Sequence, residues 1–220
     1  MRETLTPLLA LFLALAALLA GNGLQTTLLS VRANLEQFPI TLIGTMMSCY
    51  FVGYILGCLV CPFFVRTAGH IRTFAALASL SAIVALLHLL FIDPWIWMGL
   101  RIVTGACLAG LAMIAESWIN ERTSNQSRGR IIAVYRIVDL GSVTAGQLFF
   151  TLADPAGFAL FCLASILVSI AVIPVSLTPS AAPAPIVEQV DALKVEHDRA
   201  GALLEDPHEL DPEDIRKLRP

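Results

Sequence analysis

The chain has 220 residues, of which 57% are hydrophobic and only 14% charged, against about 25% charged in an ordinary soluble domain. Its mean hydropathy of +0.77 represents more apolar surface than one small core can take in, so a water-soluble domain is excluded and a bilayer is the expected solvent. The net charge of −3 hides a segregation, because residues 186–220 hold ten acidic and five basic residues and leave the remainder slightly basic; neither part has the basic patch of a nucleic-acid binder.

A helix rises about 1.5 Å per residue, so roughly 20 apolar residues are needed to cross about 30 Å of hydrocarbon. Six stretches meet this requirement: residues 5–29, 40–64, 73–92, 95–119, 131–152 and 158–177. The runs are continuous and lack the period-2 alternation of a membrane strand. The predicted fold class is therefore an all-α membrane protein, a bundle of six transmembrane helices. The first stretch reads as a helix and not a cleaved signal: Met1-Arg2-Glu3-Thr4 is barely basic, and the apolar run continues past Gly21 to Leu29. Residues 178–186 form a Pro/Ala linker. The acidic tail at 187–220 contains Asp206-Pro207 and Asp211-Pro212, and its charge density predicts disorder.

Basic residues mark the cytoplasmic side of a membrane protein. With the N-terminus inside, the inner segments hold Arg2, Arg66, Arg72, Arg122, Arg128 and Arg130. The outer segments hold only Arg32, beside Glu36, Asp93 and Asp154. Both termini are therefore expected in the cytoplasm. Trp95 and Trp97 fall at the outer end of the fourth helix and Trp118 at its inner end, as an interfacial aromatic belt predicts. Ile92-Asp93-Pro94 leaves almost no loop between the third and fourth helices, which must be antiparallel neighbours.

Charges at membrane depth cost at least about 2.5–3.5 kcal/mol and face a bundle interior or an aqueous cavity. Arg101 on the fourth helix and Arg136 and Asp139 on the fifth are such residues. Counting rise along each helix puts Arg101 roughly 9 Å below the outer surface and Asp139 roughly 13 Å above the inner one, about 8 Å apart in height. Arg101 and Asp139 are within pairing distance if the helices are suitably rotated. Arg136 and Asp139 are i, i+3 neighbours that can also pair within their own helix. All three are candidates to line a substrate or proton pathway, or to form a closed pair that fixes packing. Asn22, Gln25 and Gln147 interrupt apolar helices and either bond across helices or contact a ligand. His88, near the outer end of its helix, is expected to snorkel to the interface.

Small residues make a contact face at Gly53 and Gly57, at Gly105, Ala106, Ala109 and Gly110, and at Gly141, Ala145 and Gly146, with little sign of one in the first helix. The five cysteines all lie in apolar stretches, which disfavours a disulfide scaffold. Cys58 and Cys61 have the spacing of a redox or metal pair, but packing inside a membrane helix is the preferred reading. No Ser/His/Asp set, metal-ligand cluster or phosphate loop stands out, so no catalytic residue, metal or cofactor is expected and enzyme activity is the weakest reading.

Several strings in order carry a family resemblance from about residue 6 to 177. They are Gly21-Asn22-Gly23-Leu24-Gln25, Ser48-Cys49-Tyr50-Phe51-Val52-Gly53, Gly69-His70-Ile71-Arg72, Arg101-Ile102-Val103-Thr104-Gly105, Glu116-Ser117-Trp118-Ile119-Asn120-Glu121 and Arg128-Gly129-Arg130. Together they resemble the N-terminal half of the major facilitator superfamily, in its YcaD-like branch. The resemblance implies alternating-access transport of a small solute, with proton coupling, in a bacterial inner membrane. Gly69, Arg72, Glu116, Arg128 and Arg130 match positions that gate the cytoplasmic side, and Arg101 matches an Arg-x-x-x-Gly signature tied to proton coupling. One position departs: Arg66 stands where the family usually carries an Asp, which puts the usual gating charge relay in doubt. Such transporters rock two six-helix halves around a midplane site. The expected partners are thus the bilayer, a solute, protons, and either a second copy or another six-helix half. The alternatives are a truncated, inactive fragment and a membrane-bound interaction or regulatory protein acting through its tail.

Overall fold

The computed structural model describes residues 2–121, 123 and 128–176. Arg122, the linker at 178–186 and the acidic tail at 187–220 lie outside the described residues. The helices are α1 (Arg2–Leu35), α2 (Ile40–Ala68), α3 (His70–Leu90), α4 (Pro94–Glu121), α5 (Arg128–Phe149), α6 (Ala159–Ile170) and α7 (Val172–Ser176), with a 3₁₀ turn at Phe150–Leu152 after α5. Six segments are long and apolar enough to span a membrane, the last being α6 and α7 taken together. The break between these two follows from Pro174, which has no N–H for the carbonyl of residue 170 and whose ring crowds it.

The sequence explains where the helices stop. Asp93 caps α4, its Oδ1 accepting from the backbone N–H of Trp95 at 2.9 Å and of Ile96 at 3.0 Å, while Pro94 at the first helical position loses no hydrogen bond. At the end of α1, Gln37 takes φ 60°. Phe38 N–H then donates to Ala33 O, and Gln37 N–H to Asn34 O, the pattern of a Schellman motif. Between α2 and α3 the chain reverses at Gly69 with φ 82° and ψ 166°, a region open essentially to glycine alone. The Thr73 hydroxyl closes that turn by donating to Gly69 O at 2.8 Å.

Each helix packs along its neighbours in the series α2, α4, α3, α6, α1, α5, with α2 and α5 at the two ends. The third and fourth helices are neighbours, as their short connection predicts. Glycines set the closest approaches. A Cβ at Gly53 or Gly57 would run into the carbonyls of Ile102 and Ala106 on α4, and one at Gly105 into that of Tyr50 on α2. The first helix does carry a small-residue face, contrary to expectation: Gly146 of α5 meets Ala20 O, Gly23 meets Val143 O, and Gly21 packs on α6. Gly141, in contrast, faces open space and makes no helix contact.

Two apolar clusters fill the bundle. One, nearer the end where α1 starts, includes Leu15, Phe74, Leu111 and Trp118; the other, towards the opposite end, includes Leu28, Met46, Trp97 and Phe161. Large apolar side chains such as Phe51, Leu59, Ile137 and Leu140 are instead exposed, as suits a surface bathed in hydrocarbon.

Two expectations about interfacial residues are corrected. Trp97 and Trp118 are buried core residues, not belt residues, and only Trp95 is exposed. Positions 95 and 97 lie about 200° apart around a helix, so they cannot share a face. Trp97 Nε1 donates to the carbonyls of His88 at 3.1 Å and Phe91 at 2.6 Å. His88 does not snorkel: it is fully buried, and its Nδ1 donates to Val84 O at 2.7 Å. Arg32, the single base at the far end, is clamped. It pairs with Glu36 at 2.7 Å and donates to Pro155 O at 3.2 Å and to Ala156 O, tying α1 to the turn before α6.

Thermal unfolding in detergent should separate these contributions. Gly69→Ala should cost about 1–3 kcal/mol from backbone strain alone, and Gly105→Ala about 1–3 kcal/mol by forcing α4 from α2. Gly141→Ala should instead stabilise by about 0.5–1 kcal/mol. Arg32→Ala should lose about 1.5–3 kcal/mol, the value of hydrogen bonds made by a charged group.

Candidate functional site

The two apolar clusters are separated along the helices by polar residues. On α1 the break is Asn22, on α3 His88, and on α4 Arg101 and Thr104. Gly105 explains how Arg101 is placed. Without a side chain there, α4 seats directly on the backbone of α2 at Tyr50. One turn earlier, the Arg101 guanidinium carbon lies 4.5 Å from the centroid of the Tyr50 ring, a cation–π contact. The Arg-x-x-x-Gly spacing thus has a packing cause in this chain: the glycine brings the helices together and the arginine uses the approach.

Arg101 is only 2% exposed. One Nη reaches Met47 Sδ at 4.0 Å, while Nε and the other Nη have no hydrogen-bond partner. Asn22 sits beside Tyr50, and its Oδ1 is buried without a partner. Gln25, one turn further along α1, is 1% exposed with Nε2 unpartnered. Asn22 and Arg101 therefore meet at Tyr50, while Gln25 lies on α1 between Leu24 and Leu28 of the second apolar cluster. Gln147 does not join them, because it lies on an exposed face of α5 while its neighbour Gly146 is turned onto α1.

Of the two pairings open to Asp139, the structure contains the one within α5: Arg136 to Asp139 at 3.3 Å, with side chains 61% and 24% exposed. Arg101 and Asp139 do not pair. Across from this ion pair stands Tyr54 of α2, within electrostatic reach of Arg136, Asp139 and Glu116. The charged face of α5 is therefore turned towards α2, over the side of the bundle that these two end helices leave open.

Closer to the start of α1, a cleft of about 240 Å³ opens between α4 and α5, lined by Glu116, Asn120, Arg128, Tyr135 and Arg136 among others. Tyr135 donates to Glu116 at 3.4 Å, and Arg128 to Asn120 at 3.0 Å. Of the other residues proposed for gating, Gly69 makes the α2–α3 turn, Arg72 is exposed in the first turn of α3, and Arg130 is exposed at the start of α5. Among the described residues no group of three or more metal-ligating side chains gathers. Cys58 and Cys61 are free, the second packed against Gly110 of α4. Reading the sequence alone misses Tyr50, Tyr54 and Tyr135. Tyr135 carries a signal, since it adjoins Arg136 in sequence, whereas Tyr50 and Tyr54 lie on α2, which has no embedded charge to mark them.

Comparison with known proteins bears on these groups. Residues 11–210 match the model of the Major Facilitator Superfamily. The chain is 28% identical over 142 residues to an uncharacterized MFS-type transporter of Yersinia pestis (strain Pestoides F), an overlap of 64% of this chain and 37% of that protein. It is 29% identical over 143 residues, with the same shares covered, to the uncharacterized MFS-type transporter YcaD of Escherichia fergusonii. The matched part is thus little more than a third of these curated relatives' length. No solved structure matches the chain. With the family model matched from the first span through the last, and six membrane-length helices arranged around an embedded polar layer, the chain belongs to the Major Facilitator Superfamily.

Proposed function

We propose that this bundle acts as one half of a secondary transporter, which moves a small solute by alternating access and couples that movement to protons. The observation that carries the reading is the Arg136–Asp139 pair, exposed at membrane depth and facing Tyr54 across the open side between α2 and α5. Lipid there would impose at least about 2.5–3.5 kcal/mol for each charge. Water in a transport cavity, or a second six-helix half, removes that cost. That second six-helix half is the partner this reading requires.

Arg101, Asn22 and Gln25 form the inner part of the pathway, and Arg136 and Asp139 its wet rim. Opening of the Arg136–Asp139 pair gives the cavity two electrostatic states, as coupling requires. Glu116, Arg128 and Arg130 lie about the cleft end, where Gly69 and Arg72 turn α2 into α3, and these residues form the gate. In this reading the end bearing Arg66, Arg72, Arg128 and Arg130 faces the cytoplasm of a bacterial inner membrane, with both termini on that side.

A substrate-independent experiment tests the proposal. Cys49 is half-buried on α2 beside Arg101. In membrane vesicles carrying the chain with Cys58, Cys61, Cys107 and Cys162 replaced by alanine, an impermeant maleimide should reach Cys49 from either face, in proportions that change with pH. Asp139→Asn should abolish that pH response and hold Cys49 open to one face. Labelling from a single face at every pH, in both proteins, would remove alternating access. For orientation, a cysteine introduced as Arg128→Cys should react only from the cytoplasmic face; reaction from outside would invert the topology.

A further inference from the structure

Arg101 is a cation inside a protein that is itself set in hydrocarbon. Its neighbours are the ring of Tyr50 and the thioether of Met47, both uncharged and both poor acceptors. Two of its nitrogens meet no acceptor. The ion pairs among the described residues are Arg32–Glu36 and Arg136–Asp139, so Asp139 is already matched by a cation on its own helix. On α1, Gln25 is also almost completely enclosed with its amide nitrogen unpartnered, one turn past Asn22.

The unfilled groups of the layer include two acceptors, Asn22 Oδ1 and His88 Nε2, as well as the guanidinium donors, so selection among solutes rests on the one uncompensated positive charge. A cation adds to the charge. A neutral polyol satisfies the donors and leaves the charge. An anion answers both, and charge-assisted hydrogen bonds to oxygen are about twice as strong as neutral ones. Several directional donors favour an oxyanion over a spherical halide, because the oxyanion offers several acceptor sites. The near-total enclosure of Arg101 requires the group that meets it to be compact. Neutralisation has a further consequence: one negative charge on Arg101 leaves the layer uncharged, so the loaded bundle can reorient without exposing a bare charge to hydrocarbon.

We infer that the transported solute is an anion, and that its compact oxyanion group, a carboxylate or a phosphate, binds the unfilled Nε and Nη of Arg101. The inference rests on the transport reading above but is tested separately from it. In the vesicles with Cys49 as sole reactive cysteine, sodium acetate and sodium phosphate are titrated at constant ionic strength, with glycerol as the neutral comparison. One or both oxyanions should change the Cys49 labelling rate saturably, and glycerol should not; which of the two acts assigns the head group. Arg101→Gln should raise the half-effect concentration at least about tenfold, as expected for loss of a hydrogen bond to a charged group. Arg101→Lys, which keeps the charge, should retain a saturable effect and control for misfolding. If Cys49 alternates between faces while neither oxyanion affects it, or if both act equally on Arg101→Gln, the anion assignment is wrong and the transport reading stands. If an oxyanion protects Cys49 but labelling never switches faces, the site is confirmed and alternating access fails.

Discussion

Hydrocarbon offers no hydrogen bonds, and this constraint governs the molecule from backbone to side chain. Backbone groups in the spans must find partners within their own helix, and hydroxyl side chains follow the same rule. Thr27, Ser30, Thr45 and Thr104 each donate to the carbonyl four residues earlier. Ser165 instead crosses to Ala82 O at 3.1 Å and links α6 to α3. At helix ends, where the ladder runs out, the chain supplies substitutes in the Asp93 cap, the Schellman turn at Gln37 and the Thr73 closure of the Gly69 turn. Arg32 shows the same logic with a full charge, satisfied by a carboxylate and two loop carbonyls.

Within that solvent, helices gain nothing from burying leucine against leucine, so association depends on close packing. The glycines of α2 and α4, and those where α1 meets α5, bring backbones together. The same approach organises the polar layer. Arg101 stacks on Tyr50 because Gly105, one turn away, removes the space between the helices. Helix packing and the placement of Arg101 are therefore one feature of this bundle, and a change to the glycine reaches the arginine through the backbone of α2.

The embedded charges fall into two environments. Arg101 is enclosed, touched by uncharged groups only. Arg136 and Asp139 are mutually neutralised and exposed on the open side. The first environment leaves guanidinium donors unfilled. The second is an ion pair closed within one helix. The two lie on different helices, with Arg101 and Asp139 both within electrostatic reach of one tyrosine, Tyr50.

Composition and hydropathy determined the solvent, the number of spans and their approximate limits, because each depends only on local apolar content. They also singled out Arg101, Arg136 and Asp139, since a charge in an apolar run is visible without coordinates. Rotation about each helix axis was not legible, and it decides every remaining question. The sequence left Asp139 with two partners, and the tertiary structure chose Arg136 by turning Arg101 onto Tyr50. His88 and Trp97 are near a helix end by count, which suggests an interface, but they face inward and join the core. Gln147 has the same composition signal as Gln25 yet points away from the layer, because Gly146 beside it occupies the contact with α1. A sequence records how deep a residue lies along its helix; which way it faces is set by the packing of one helix against another, through contacts between residues far apart in the chain.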